Sequence, residues 1–249
     1  MANQRINESF LALKERDALA ALVRRLPPWA TPDHLTAIGL CGAGLTMVSF
    51  IACRWSNVFL LGVVLGLFLN WFGDSLDGTL ARYRAIERPH YGYFIDHSSD
   101  LIAQTLIIVG LGVSPFFTVG SSLLVLSLYL LMSSYTYLRV VTESVHRLSY
   151  GGMGATEFRI LVACWALFAA WFGPSIATAQ AFGFVRLDIV IGGLSALTFL
   201  GFLVIIRKDL MRLQREERDL IESRRPVTPA DETSILDVEK QNLAESAAG

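Results

Sequence analysis

The strongest constraint on this chain is a series of six apolar segments, each near the ~20 residues that a helix needs to cross a bilayer. They lie at about 33–53, 57–82, 93–113, 116–139, 157–173 and 187–206. Inside hydrocarbon every backbone N–H and C=O must find its partner within the protein, so such segments read as helices. Composition agrees: 53% of the 249 residues are hydrophobic, 17% are charged, and mean hydropathy is +0.48. The expected fold class is an all-α integral membrane protein of six transmembrane helices. An N-terminal amphipathic surface helix precedes them, and a cytoplasmic C-terminal helix and tail follow. The expected boundaries are 1–32 for the amphipathic segment, 33–206 for the membrane domain and 207–249 for the charged helix and disordered tail.

Residues 7–26 carry Phe10, Leu13, Leu19, Leu22, Val23 and Leu26 with Lys14, Arg16, Arg24 and Arg25 between them. That pattern suits a helix lying along a membrane surface, and equally one packed on the cytoplasmic face of the domain. Pro27-Pro28 ends it, and Thr31-Pro32 supplies an N-cap and a proline at the first helical position of the next. Arg54-Trp55-Ser56-Asn57 separates the first two spans, and Gly112 to Pro115 the third and fourth. Glu143 to Gly154 reads as a polar, Gly-rich surface loop, and Gly173-Pro174 opens the fifth connection. After Ile206, RKDLMRLQREERDLIESRR continues as a charged helix, and from Pro226 the composition turns polar and small. The N-terminal stretch is too polar for a signal peptide, which leaves insertion to the first membrane helix. Cys41, Cys53 and Cys164 fall in apolar segments without ligand-like spacing and read as small buried hydrophobes.

Charge placement orients the helices. Of 21 Lys and Arg, only Arg54 and Arg186 fall in connections on the side opposite the N-terminus. By the positive-inside rule both termini are cytoplasmic. No basic patch with interleaved aromatics supports a nucleic-acid partner.

Four acids interrupt this apolar background between Asp74 and Asp100: DSLDGTLARYRAIERPHYGYFIDHSSD. Asp74 and Asp77 lie i, i+3, with Gly78 and Ala81 on the same broad face; Asp96 and Asp100 lie i, i+4, with Gly92 one turn before. Helices joined by the Arg84–Arg88–Pro89 loop can bring the four carboxylates together at the cytoplasmic edge. Unpaired in apolar surroundings that grouping is prohibitively costly, and divalent cations are the natural compensation. An all-oxygen donor set suits Mg²⁺ or Mn²⁺ rather than zinc.

Asp74-x-x-Asp77-Gly78-x-x-Ala81-Arg82, nine residues, then Gly92-x-x-x-Asp96-x-x-x-Asp100 resembles the signature of the CDP-alcohol phosphotransferases, membrane enzymes of phospholipid synthesis. The resemblance implies transfer of a phospho-alcohol or phosphatidyl group from a CDP-linked donor to a hydroxyl acceptor, with release of CMP. It implies Asp74, Asp77, Asp96 and Asp100 as ligands of two Mg²⁺ or Mn²⁺ ions. It implies a nucleotide site at Asp74, Gly78, Ala81 and Arg82, where small side chains leave room and the guanidinium pairs with phosphate. A homodimer in the bacterial inner membrane or endoplasmic reticulum is implied as well.

His97, directly after Asp96, resembles the choline and ethanolamine branch, whose histidine in that place is taken as the base; elsewhere in the family the last aspartate, here Asp100, has that role. Thr156-Glu157 resembles the same branch, with Glu157 near the polar substrate, whereas Arg159 departs from it. In branches that accept phosphorylated alcohols an arginine near this place reads a phosphate. The donor is thus CDP-diacylglycerol or a CDP-aminoalcohol, with Glu157 and Arg159 near the acceptor or headgroup. Arg139 and His146-Arg147 read as solvated membrane-edge cations, with an anion site as the alternative.

Two rival readings make different demands. An intramembrane prenyltransferase normally separates its acidic motifs much further in sequence, and Gly78, Ala81, Arg82 and Gly92 argue against it. A cation-coupled transporter needs acids near the bilayer midplane, whereas these gather at one edge.

Overall fold

The computed structural model describes residues 4–6, 12–143, 145–147, 155–173 and 175–223. It falls into two compact units, 1–199 and 200–249.

In the first unit, helix α1 (Ala12–Val23) leads to α2 (Pro32–Ala52), α3 (Leu60–Tyr83), α4 (Pro89–Val113), α5 (Val119–Glu143) and α6 (Ala155–Phe172). A single turn, α7 (Ser175–Thr178), and a two-stranded hairpin, Gln180–Ala181 with Phe184–Val185, precede α8 (Arg186–Ser223). Gln4–Ile6 pairs in parallel with Val145–Arg147. Helices α2, α3, α4, α5, α6 and α8 are each long and apolar enough to cross a membrane, which bears out the six-helix expectation. The described part of the second unit, residues 200–223, is helical throughout.

The ends form for local reasons. Thr31 caps α2 by accepting from the His34 N–H at 3.2 Å, and Pro32 occupies the first turn. Pro89 likewise opens α4, four residues earlier than the apolar pattern implies, because the polar first turn fits a helix as well as a loop. Helix α3 stops where Ala85 takes a left-handed conformation (φ 54°) and Ile86 N–H reaches back to the Ala81 carbonyl at 3.0 Å. Arg84 then donates to the carbonyls of Leu26, Pro27, Pro28 and Ala30, tying this turn to the end of the α1 connection.

Packing centres on α2. A Cβ on Gly42 would sit 2.5 Å from Asn70 N and 2.7 Å from Gly66 O, so only hydrogen fits where α2 crosses α3. A Cβ on Gly110 of α4 would meet Met47 Cα of α2 at 2.7 Å. The main core joins Ala43, Phe50, Val63, Leu67, Ile107 and Val162. A second cluster sets Leu19 and Val23 of α1 against Leu35, Leu76 and Leu80, so protein covers this part of α1's apolar face. Of the residues expected in that first helix, 7–11 lie outside those described, as do most of Glu143 to Gly154 and the tail from 224 onward. Cys53 is buried, but Cys41 and Cys164 point outward from the bundle; in a membrane span an apolar residue serves equally well facing lipid.

Candidate active site

Helices α3 and α4 meet at the turn that Arg84 anchors, and this brings the acids of both toward one place. One carboxylate oxygen from each of Asp74, Asp96 and Asp100 lies within 4.8 Å of the others. Asp77 is outside that group among the described residues. It is 6% exposed, and its Oδ2 accepts from the Thr36 hydroxyl of α2 at 2.7 Å. Its Oδ1 accepts from the Gly78 N–H.

A cation from a distant helix enters this group. Arg159 of α6 is 8% exposed; its Nη2 donates to Asp74 Oδ2 and its Nε to Asn70 Oδ1, both at 2.7 Å. Asn70 in turn donates from Nδ2 to the Gly39 carbonyl of α2 at 3.0 Å. The guanidinium is therefore fixed by α3 through a side chain that α2 holds. Its Nη1 is buried and has no hydrogen-bond partner among the described residues. Among the described residues, these three carboxylates set against the Arg159 guanidinium leave an excess of negative charge in a low-dielectric bundle.

The other expected residues lie around this group. His97 is 9% exposed, stacked on Tyr93 (centroids 4.0 Å apart) and met edge-on by Tyr137 of α5 at 4.8 Å. Its Nδ1 lies 2.9 Å from the Tyr93 carbonyl, which can only accept, so Nδ1 carries the proton in this contact. A Cβ on Gly78 would meet only the Arg82 guanidinium, at 3.3 Å, and Arg82 also donates to Thr79 at 3.2 Å. Ala81 and Glu157 are half-buried. Arg88 is committed elsewhere, pairing with Asp33 and covering the Tyr91 ring at 4.2 Å. Arg139 is 6% exposed, so burial overturns its reading as a solvated edge cation. His146 and Arg147 belong to the Val145–Arg147 strand.

Two adjoining clefts share Asn70, Asp100 and Ala103. Thr36, Asp74 and Ser99 line the first; Gln104, Tyr129, Phe158 and Arg159 line the second. Thr36, Asn70, Gln104 and Tyr129 are site residues that sequence reasoning missed. A lone polar residue in an apolar span is the signal that finds Asn70 and Gln104.

Converging hard oxygen donors with a residual negative charge fit a divalent cation of the Mg²⁺ or Mn²⁺ kind. Asp74, Asp96 and Asp100 are the residues the fold offers for it.

No family model matches the chain. Among curated proteins it is similar to cholinephosphotransferase 1 of Gallus gallus, 29% identical over 168 residues, covering 62% of this chain. The chain spans about half the length of that relative, 48%. The signature across α3 and α4 and the six apolar helices agree with this similarity to a CDP-alcohol phosphotransferase of the choline branch.

Proposed function

We propose that this protein transfers a phospho-alcohol group from a CDP-linked donor to a hydroxyl acceptor, releasing CMP, as a step of phospholipid synthesis. The observation that carries the reading is the convergence of Asp74, Asp96 and Asp100 from two helices. The similarity to a cholinephosphotransferase supports a CDP-aminoalcohol as donor and a lipid hydroxyl as acceptor.

In this reading Asp74, Asp96 and Asp100, with Asp77 beside them, hold two Mg²⁺ or Mn²⁺ ions. Such ions, when bound, neutralise the donor's diphosphate and stabilise the departing phosphate. Gly78 and Ala81 leave room for the cytidine nucleotide, and Arg82 pairs with its phosphate. The acceptor oxygen forms a bond to the phosphorus bearing the alcohol. The bond from that phosphorus to the bridging oxygen breaks, and CMP leaves with the electron pair. The acceptor's proton goes to His97. With Nδ1–H directed at the Tyr93 carbonyl, Nε2 is the basic nitrogen, and the two tyrosine rings fix the ring plane. Asp100 stays among the cation ligands. Glu157 and Arg159 lie on the acceptor or headgroup side. The enzyme is a homodimer whose termini and active site face the cytoplasm, where the nucleotide is supplied.

The test is purified full-length protein in lipid nanodiscs, given CDP-choline, CDP-ethanolamine, CDP-diacylglycerol or a prenyl diphosphate separately, with diacylglycerol and water-soluble alcohols as acceptors. CMP release and a new phospholipid by mass spectrometry, lost on chelation and restored by Mg²⁺ or Mn²⁺, is the expected result. Turnover only of the prenyl diphosphate, or CMP release that survives chelation, overturns the reading.

A further inference from the structure

The contact between Arg159 and Asp74 goes beyond what the transfer reaction requires. Asp74 belongs to the carboxylate group that fits cations, yet its Oδ2 is the acceptor of Arg159 Nη2 at 2.7 Å. One carboxylate is thereby offered to two positive partners. The arginine is not a loose surface charge that happens to lean in. It is 8% exposed, lies 85 residues along the chain from Asp74, and is held through Nε by Asn70. Its Nη1 is buried without a partner among the described residues, so the guanidinium is incompletely satisfied there.

We propose that Arg159 is a positioning residue that serves as the resident counter-charge of Asp74 and competes with divalent cations for that carboxylate. This rests on the reading of Asp74, Asp96 and Asp100 as cation ligands. A fixed positive charge beside the site opposes entry of a second one, and in a low-dielectric bundle that opposition is large. The same charge keeps the half-buried Asp74 carboxylate from being left unpaired when no cation is present, a state that costs stability. Arg159 thus trades cation affinity for an intact site in the cation-free protein.

The experiment is an equilibrium titration of the full-length protein in nanodiscs with Mn²⁺, free Mn²⁺ being read by electron paramagnetic resonance without nucleotide or acceptor. Thermal unfolding runs beside it. Wild type should bind Mn²⁺ and Asp96→Asn should not. If Asp96→Asn binds as wild type does, the cation site itself is wrong. With that site intact, Arg159→Gln should tighten Mn²⁺ binding by about tenfold or more, the effect of removing one nearby like charge. It should also lower the melting temperature without Mn²⁺ and enlarge the rise that Mn²⁺ produces. Arg159→Lys, which keeps a charge there, should stay close to wild type. Should Arg159→Gln fail to give monodisperse protein, Arg159→Met keeps the bulk without the charge and is read the same way. Unchanged or weaker Mn²⁺ binding in the neutral variant overturns the proposal while leaving the cation site standing.

Discussion

Asp188, at the start of α8, and Asp74, near the end of α3, are both half-buried carboxylates at the margins of membrane helices. Asp188 Oδ1 accepts hydrogen bonds from the Thr118 hydroxyl and from the Ser121 hydroxyl, the latter at 2.6 Å. It stands at the start of its helix, where the backbone dipole also favours a negative charge. Asp77 is met in the same manner by Thr36 and the Gly78 N–H. Neutral donors close at hand answer both carboxylates. At Asp74 the arrangement is opposite: two further carboxylates, Asp96 and Asp100, lie within 4.8 Å, and the cation that answers them comes from α6. Grouping like charges in a bundle is tolerated where something positive is expected. The difference separates acids met by neutral donors from acids grouped against a cation.

The largest effect should come from exchanging one acid at each end. Asp96→Asn should lower the transfer rate by about 10³-fold, the scale of losing a preorganised electrostatic group. Asp188→Asn retains an oxygen that accepts both hydroxyls and should keep transfer near wild type, at a cost of ~1 kcal/mol in stability. Equal losses in the CMP-release assay would erase the distinction. His97→Phe keeps an aromatic ring between Tyr93 and Tyr137 and should still lose about 10²–10⁴-fold in rate, the usual worth of a general base. Its Mn²⁺ binding should be unchanged, whereas Asp100→Asn should lose both. If His97→Phe stays active, the proton goes to Asp100. Gly42→Leu, at the crossing that carries Asn70, should destabilise the protein by ~3 kcal/mol in detergent unfolding, because the helices must separate. The smallest change, Ser121→Ala, removes one of the donors to Asp188 and should cost ~1 kcal/mol without touching transfer.

How far the sequence discloses this molecule depends on the range of each interaction. The six spans, the Thr31–Pro32 start and the charged continuation to Ser223 are set by local hydropathy and capping, and all are legible in the chain. The spacing of Asp74 and Asp77, and of Asp96 and Asp100, is local too, so each pair could be assigned a helix face. Which of the four come together could not be read. Thr36, which diverts Asp77, lies 41 residues away on α2, and nothing in its own segment announces the contact. Arg159 shows the same limit at 85 residues. Its charge in an apolar span marks it as functional, but the choice between a substrate's phosphate and Asp74 is made by tertiary packing. The arginines of the α3–α4 turn are set the same way: Arg84 closes the turn onto the 26–30 connection, and Arg88 pairs with Asp33.

The central claim is that Asp74, Asp96 and Asp100 share a bound cation. Crystals of the full-length protein grown with Mn²⁺ and measured at the manganese absorption edge test it most directly. The account predicts an anomalous peak within coordination distance of an oxygen from each of the three carboxylates. A peak elsewhere in the bundle, or none among these three side chains, would contradict it.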